Sequence, residues 1–285
     1  MKLTVTGAGG LLGSEFVAEG RRIGHEVIGL GHQELDVTDL AAVRKRIGAE
    51  SGTWVVHCAA YTAVDLAESE PDLAVGVNRE GSRNVAIAAT EAGARMVYMS
   101  TDYVFDGRKT TPYLPSDGVG PASVYGRAKL EGERAVLEAA VGGQPLVVRT
   151  GWLYGAGGRN FVQAILERAE RGEPLRVVAD QRGRPTWARN VARTVLELMD
   201  HDIEGTWHVA DAGDATWLEL AREVLALAGS DTNVEGVSSA VWGAAAPRPA
   251  YSVLDLSATE LALGRSMEQW PEALARFLEE RSRSV

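Results

Sequence analysis

Leu3-Thr4-Val5-Thr6 is a short β-prone run that leads into Gly7-Ala8-Gly9-Gly10-Leu11-Leu12-Gly13, and Ser14 to Arg22 then reads as a helix. A strand, a glycine turn and a helix in that order constrain the fold more than any other stretch. The glycines at 7, 10 and 13 have the Gly-x-x-Gly-x-x-Gly spacing. Their missing side chains let the backbone turn tightly and approach a pyrophosphate seated over the helix N-terminus. A glycine-rich turn that binds nothing would not need the strand before it and the helix after it.

The next strand, His25 to Leu30, ends in Gly31-His32-Gln33. An acid at this tip would grip a ribose 2′-hydroxyl, and an arginine would accept a 2′-phosphate. Neither is present, and Glu34 and Asp36 come slightly later. The choice between NADPH and NADH therefore stays open. Thr38 reads as the N-cap of a following helix. Trp54 to Cys58 is a third, buried strand. Ala59, Ala60, Tyr61 and Thr62 follow it, mostly small residues at a strand exit. A long helix is expected from about Pro71 through Ala92, with Asn78 inside it as either a surface or a buried polar group. His57 reads as a packed or surface-paired histidine without a role. Arg95 to Ser100 and Leu146 to Thr150 read as the fourth and fifth strands.

This alternation predicts an α/β fold, a Rossmann-like doubly wound parallel sheet. The rhythm breaks at Gly151-Trp152-Leu153-Tyr154-Gly155. Helices are expected over Phe161 to Arg171, Val191 to Asp200 and Thr216 to Ala228. Leu175 to Val178 is a short strand, and Gly205 to Ala210 a strand returning to the main sheet. Asp231 to Val285 reads as irregular segments and a terminal helix. Residues 1–150, with 187–211 returning, form the expected dinucleotide-binding domain. Residues 151–186 and 212–285 form a smaller, discontinuous substrate-binding cap over the strand ends, where ligands bind in such folds. Trp187, Trp207, Trp217, Trp242 and Trp270 are expected to pack in the core or cap. Trp152 sits in a glycine loop at a strand exit and is the exception.

The 285 residues carry a net charge of −10 and no Lys/Arg-rich run. That argues against nucleic acid and anionic membranes as partners. The single cysteine, Cys58, excludes an intrachain disulfide. No Cys/His set has zinc-ligand spacing, so no metal is expected. The N-terminus enters a strand directly, without the long apolar run of a signal peptide. The sequence reads as cytoplasmic. It leaves the oligomer open, a homodimer included.

The chemistry concentrates in Ser100-Thr101-Asp102-Tyr103-Val104-Phe105-Asp106-Gly107 and Tyr125-Gly126-Arg127-Ala128-Lys129. The first leaves a strand; the second opens a helix on which Tyr125 and Lys129, four apart, share a face. A hydroxyl, a phenol and an ammonium then converge on one crevice, an arrangement suited to moving a proton to or from a carbonyl oxygen. Tyr-x-x-x-Lys alone is also a common helix-surface pair, and Thr101 alone could be a strand-end cap.

Together, Thr6-Gly7-x-x-Gly10-x-x-Gly13, Ala59 to Asp65, Ser100 to Gly107 and Tyr125-Gly126-x-x-Lys129 resemble the extended short-chain dehydrogenase/reductases. More closely, the chain is similar to the dTDP-4-dehydrorhamnose reductase family. Leu35-Asp36-Val37-Thr38-Asp39, Asp180-Gln181-x-Gly183-x-Pro185-Thr186, Arg248-Pro249 and Ser252 to Asp255 extend the likeness over nearly the whole chain. Relatives often carry Lys at Leu66, an acid at Gly31 and Asn at Tyr251.

The resemblance implies reduction of the 4-keto group of a dTDP-4-keto-6-deoxy sugar, dTDP-4-dehydro-L-rhamnose, by NADPH or NADH. It implies Gly7, Gly10, Leu11, Leu12 and Gly13 under the pyrophosphate, Asp36 and Val37 beside the adenine, and Ala60, Tyr61 and Thr62 along the cofactor. Thr101, Tyr125 and Lys129 would be catalytic, the last two also touching cofactor. Thr101, Asp102, Tyr103 and Trp152 would approach the sugar nucleotide, with Asn160, Arg182 and Thr186 as further contacts. Tyr125 would donate the proton, and Lys129 would lower its pKa, ordinarily near ~10. Two other readings share the fold: a nucleotide-sugar epimerase or dehydratase, and a non-catalytic regulatory subunit of S-adenosylmethionine synthetase.

Overall fold

The computed structural model describes residues 1–47, 53–141 and 143–283. Its strands are β1 (Lys2–Thr6), β2 (Glu26–Leu30), β3 (Thr53–His57), β4 (Arg95–Thr101), β5 (Leu146–Thr150), β6 (Leu153–Tyr154), β7 (Leu175–Val178), β8 (Arg182–Gly183), β9 (Thr186–Trp187), β10 (Gly205–His208), β11 (Ala215–Thr216) and β12 (Val234–Val237). Its helices are α1 (Leu11–Arg22), α2 (Leu40–Arg46), α3 (Val64–Ala67), α4 (Pro71–Val75), α5 (Ser82–Glu91), α6 (Val124–Ala139), α7 (Phe161–Glu170), α8 (Ala188–Asp200), α9 (Trp217–Leu227), α10 (Ser239–Trp242), α11 (Ser257–Leu263) and α12 (Trp270–Arg283). No described helix is long and apolar enough to cross a membrane.

Six strands pair in parallel in the order β2-β1-β3-β4-β5-β10. Alternate residues of each strand face opposite cores, as the two-residue period of a strand requires. Val97 and Met99 pack with Phe16 of α1 and Val191 and Val195 of α8. Met96 and Tyr98 pack on the other face with Val43 of α2, Val85 of α5 and Val136 of α6. A third cluster joins Tyr154, Ile165, Trp187, Val224 and Phe277, from α7, α9, α12 and the short strands between them. The later strands form only two-stranded pairs, β8 with β11, β7 with β12 and β6 with β9. Chain order reverses between β1 and β3, so a crevice opens beyond their carboxyl ends.

Several expectations are revised. The helix from Pro71 to Ala92 is broken by a π-helical turn, Gly76–Gly81, between α4 and α5. Asn78 on that turn is fully buried, and its amide exchanges two hydrogen bonds with the backbone of Tyr61 at 2.8 and 3.0 Å. The N-cap of α2 is Asp39, whose carboxylate accepts from the N–H groups of Ala41 and Ala42. Thr38 instead donates its N–H and hydroxyl to Asp36. Trp242 is 48% exposed and is not part of any core. The segment after Asp231 is more ordered than its polar sequence suggests, with β12, α10, α11 and a 14-residue α12. Its last two residues lie outside the described ones.

Candidate active site

Gly7 has φ +66°, and a Cβ there would lie 2.6 Å from the Ala59 nitrogen. Only glycine allows both that conformation and that approach to the exit of β3. A Cβ on Gly13 would lie 2.1 Å from the Gly7 carbonyl oxygen, so α1 sits directly against the turn. Gly10 occupies the N-cap of α1, with no side-chain cap and no acid in the first turn. The helix therefore presents backbone N–H groups and the positive end of its dipole to the crevice.

A cleft of about 900 Å³ runs from this turn to the far side of the sheet. Gly7, Gly10, Leu11, Leu12 and Gly13 line its first end, with Asp36 and Val37 beside them. Ala60 and Thr62 line the middle, and Thr101, Asp102, Tyr103, Tyr125, Lys129 and Trp152 the other end. The shape and the open helix terminus fit a dinucleotide laid across the carboxyl edge of the sheet.

The Thr101/Tyr125/Lys129 trio is held by two elements, β4 and α6. Thr101 ends β4 and accepts from the Tyr103 N–H at 3.2 Å while donating to Asp102 Oδ1 at 3.1 Å. Tyr125 lies in the first turn of α6, whose N-cap Ser123 accepts from the Gly126 N–H. Lys129, 3% exposed, donates from Nζ to the Met99 carbonyl at 2.6 Å, and its ammonium lies 4.2 Å from the centre of the Tyr98 ring. Burial pushes the Lys129 ammonium down to about 7, opposed by the negative charge of Glu133. Burial pushes the Tyr125 phenol up to about 12; hydrogen bonding with Thr101 opposes the rise and the charge of Asp102 adds to it. The expected lowering of Tyr125 by Lys129 is thus not the governing effect here. Lys129 spends its strongest contact on Met99, and the phenol is desolvated.

Asp102 is buried, and desolvation raises its carboxyl to about 6, with Ser252 and Thr101 acting against the rise. A Cβ on Gly151 would lie 2.5 Å from this carboxyl, so the glycine after β5 makes its space. Thr150 Oγ1 is buried and closes no hydrogen bond, while the buried Asp102 carboxyl and Ser252 hydroxyl face each other. Two of the three residues, Asp102 and Thr150, line the cleft. Buried oxygens without partners are costly unless a ligand satisfies them.

Trp152 has φ +52°, a left-handed conformation unusual for a bulky residue. Its ring is stacked on Trp217, centroids 3.6 Å apart and planes within 2°. Phe161 packs against the other tryptophan at 4.6 Å. Trp217, which its sequence context marks only for packing, lines the cleft with Phe161 and Arg159. The signal for it is its place directly after the N-cap Thr216, which fixes where the first turn of α9 points.

Four expected residues do not line the cleft. Tyr61 donates its hydroxyl to Glu70 at 2.6 Å. Asn160 caps α7 and donates to the Gly155 carbonyl. Arg182 is paired with Asp214 and Glu219. Thr186 is fully buried and donates to the Arg184 carbonyl. Leu66, 57% exposed, and Tyr251, packed near Tyr113, also lie off the cleft. Arg248 and Asp65, present in the motifs but given no role, form a two-pronged ion pair at 2.7 and 2.9 Å. That pair joins the loop before Tyr251 to α3. His57 is buried, bonded to Thr6 and Ser82, and burial holds it neutral at about 3.

A parallel sheet with a glycine turn at its switch point and a Thr/Tyr/Lys trio at the strand exit defines an extended short-chain dehydrogenase/reductase. Residues 1–283 match the family model described as RmlD substrate binding domain. The chain is 43% identical over 276 residues to the dTDP-4-dehydrorhamnose reductase of Streptomyces griseus, covering 95% of this chain and 90% of that one. It is 40% identical over 281 residues to the spore coat polysaccharide biosynthesis protein SpsK of Bacillus subtilis, covering 99% and 98%. A solved dTDP-4-dehydrorhamnose reductase from Bacillus anthracis, in complex with NADP, superimposes with a TM-score of 0.94 at 36% identity, covering 98% and 99%. The chain belongs to the dTDP-4-dehydrorhamnose reductase family of that superfamily.

Proposed function

We propose that the protein reduces the 4-keto group of dTDP-4-dehydro-L-rhamnose to dTDP-L-rhamnose with NADPH or NADH. The observation that carries this is the meeting, in one cleft, of a dinucleotide cradle, the Thr101/Tyr125/Lys129 trio and the buried oxygens of Asp102 and Thr150. The names of the relatives support the sugar nucleotide.

When bound, the nicotinamide supplies a hydride to the carbonyl carbon. Gly7, Gly10 and Gly13 would admit its pyrophosphate, and Lys129 would hold its ribose. As charge grows on the carbonyl oxygen, Thr101 orients that oxygen and Tyr125 gives it a proton. A phenol held near 12 is fully protonated at neutral pH, the form a proton donor needs. The Lys129 ammonium then stabilises the phenolate left behind. Asp102 and Thr150 would accept and donate to sugar hydroxyls, and the Trp152/Trp217 stack would wall the nucleotide side.

Residues 1–150 with 187–211 serve as the dinucleotide-binding domain, and 151–186 with 212–285 as the cap. The separate apolar clusters on the sheet faces and around α9 and α12 support that division. The enzyme would work in the cytoplasm, and a homodimer is the assembly to test by light scattering.

The test is a cofactor-oxidation assay with dTDP-4-dehydro-L-rhamnose, run with NADH and with NADPH, and the product sugar identified by NMR. Stoichiometric loss of reduced cofactor with formation of the 4-hydroxy sugar is expected. Turnover of the sugar without net cofactor loss would instead support an epimerase or dehydratase.

A further inference from the structure

Behind the trio lies a buried charge cluster that the reaction as described does not use. Glu133 stands one helical turn beyond Lys129 on α6, and both are buried. Its carboxylate accepts from Arg149 Nε at 2.9 Å and from Arg149 Nη2 at 2.8 Å, a two-pronged pair. Oε1 also accepts from the Ser100 hydroxyl at 2.5 Å. Ser100 directly precedes Thr101 on β4, and Arg149 lies opposite it on β5. Arg149 donates its remaining Nη1 to the Pro115 carbonyl in the loop before α6, and its guanidinium lies 5.1 Å from the Phe105 ring. One carboxylate therefore ties α6, β4, β5 and the 110–121 loop together just beneath the reactive residues.

We propose that Glu133 is a positioning residue: it holds Thr101 and Lys129 in register through Ser100, Arg149 and α6 and is the acid that stands one helical turn from the buried Lys129. This rests on the reductase reading above. Facing Lys129 from the other elements are Tyr98 of β4, His57 of β3 and Cys58 after it, with Tyr125 one turn before it on α6. His57 is held neutral, and burial pushes the Cys58 thiol up to about 12 and the Tyr125 phenol likewise. The negative charge of Glu133 raises Lys129 against desolvation.

The chain has four lysines, Lys2, Lys45, Lys109 and Lys129. Side-chain-labelled lysine NMR can thus follow Lys129 directly, assigned by its loss in Lys129→Ala. The variants are Glu133→Gln with Arg149→Met, which removes both charges and leaves neither partner buried alone, and Glu133→Asp, which keeps the anion. Thermal unfolding of each checks that it folds. The expected result is a Lys129 midpoint lowered by about one pH unit in the double variant and near the parent value in Glu133→Asp. The basic limb of cofactor affinity against pH should shift with it. A folded double variant whose Lys129 midpoint matches the parent overturns the proposal. If the double variant fails to fold, Glu133→Asp decides, and a Lys129 midpoint lowered there by about one pH unit also overturns the proposal. The reductase reading fails separately, by the absence of cofactor oxidation in the parent, because the lysine titration needs no turnover.

Discussion

At the scale of single residues, environment divides the labour between three acids. Tyr125 stays protonated at neutral pH, Lys129 sits close to its midpoint, and Asp102 is ionised only above about 6. The ionised Asp102 is the form that accepts a hydrogen bond from a sugar hydroxyl. The Michaelis constant for the sugar should therefore rise as pH falls through about 6. Asp102→Asn should weaken sugar binding and flatten that limb. Steady-state kinetics between pH 5 and 8 test it, and an unchanged limb in the variant would remove Asp102 from the sugar site. Thr101, Tyr125 and Lys129 were legible in the sequence because their spacing follows from a strand exit and one helical turn. The burial of the Asp102 carboxyl was not, because Gly151, nearly fifty residues on, makes its space.

At the scale of elements, the glycine turn and α1 form one rigid unit. The Gly13 approach to the Gly7 carbonyl leaves no room for a methyl group. Gly13→Ala should push α1 away from the turn and weaken NADPH binding by tenfold or more, with a stability loss of about 1–3 kcal/mol. Fluorescence titration with NADPH and thermal unfolding measure both, and parent-like affinity would place the pyrophosphate elsewhere. The sheet was legible from its apolar runs: β4, β5, β7 and β10 fall within a residue or two of expectation at nearly every end. The π-helical turn was not. It depends on Asn78 reaching the Tyr61 backbone, a contact that helical periodicity does not encode. Asp39 took the N-cap from Thr38 for a similar reason, because the neighbouring Asp36 had already engaged Thr38.

At the scale of the whole molecule, buried ionisable groups pull stability in opposite directions with pH. His57 and His208 are each lowered to about 3, so their contribution is complete above 6.5 and is lost as pH falls from there toward 3. Asp102 and Asp211 are raised, to about 6 and about 7. Their ionisation penalises the fold above those values and is relieved as pH falls toward 3.8. The four effects largely offset one another between pH 7 and 4. Asp211→Asn removes one relieving group. Its unfolding free energy should fall relative to the parent by about 1.4 kcal/mol per pH unit as pH drops from about 7 to 4. Urea unfolding at pH 7, 6, 5 and 4 reads this slope, and parallel profiles would contradict it. The division into sheet and cap was legible from the change of rhythm at Gly151. The seams were not: Asp65 with Arg248, and Asp211 with the Trp187 N–H and Asn190, are long-range pairs between segments that look unrelated in sequence.

The central claim is that Tyr125 delivers the proton. Tyr125→Phe changes one oxygen in a site whose other contacts remain. NADPH affinity should stay within about twofold of the parent, while single-turnover reduction of dTDP-4-dehydro-L-rhamnose should slow by about 10²–10⁴-fold. Unimpaired NADPH binding together with parent-like reduction would contradict the account.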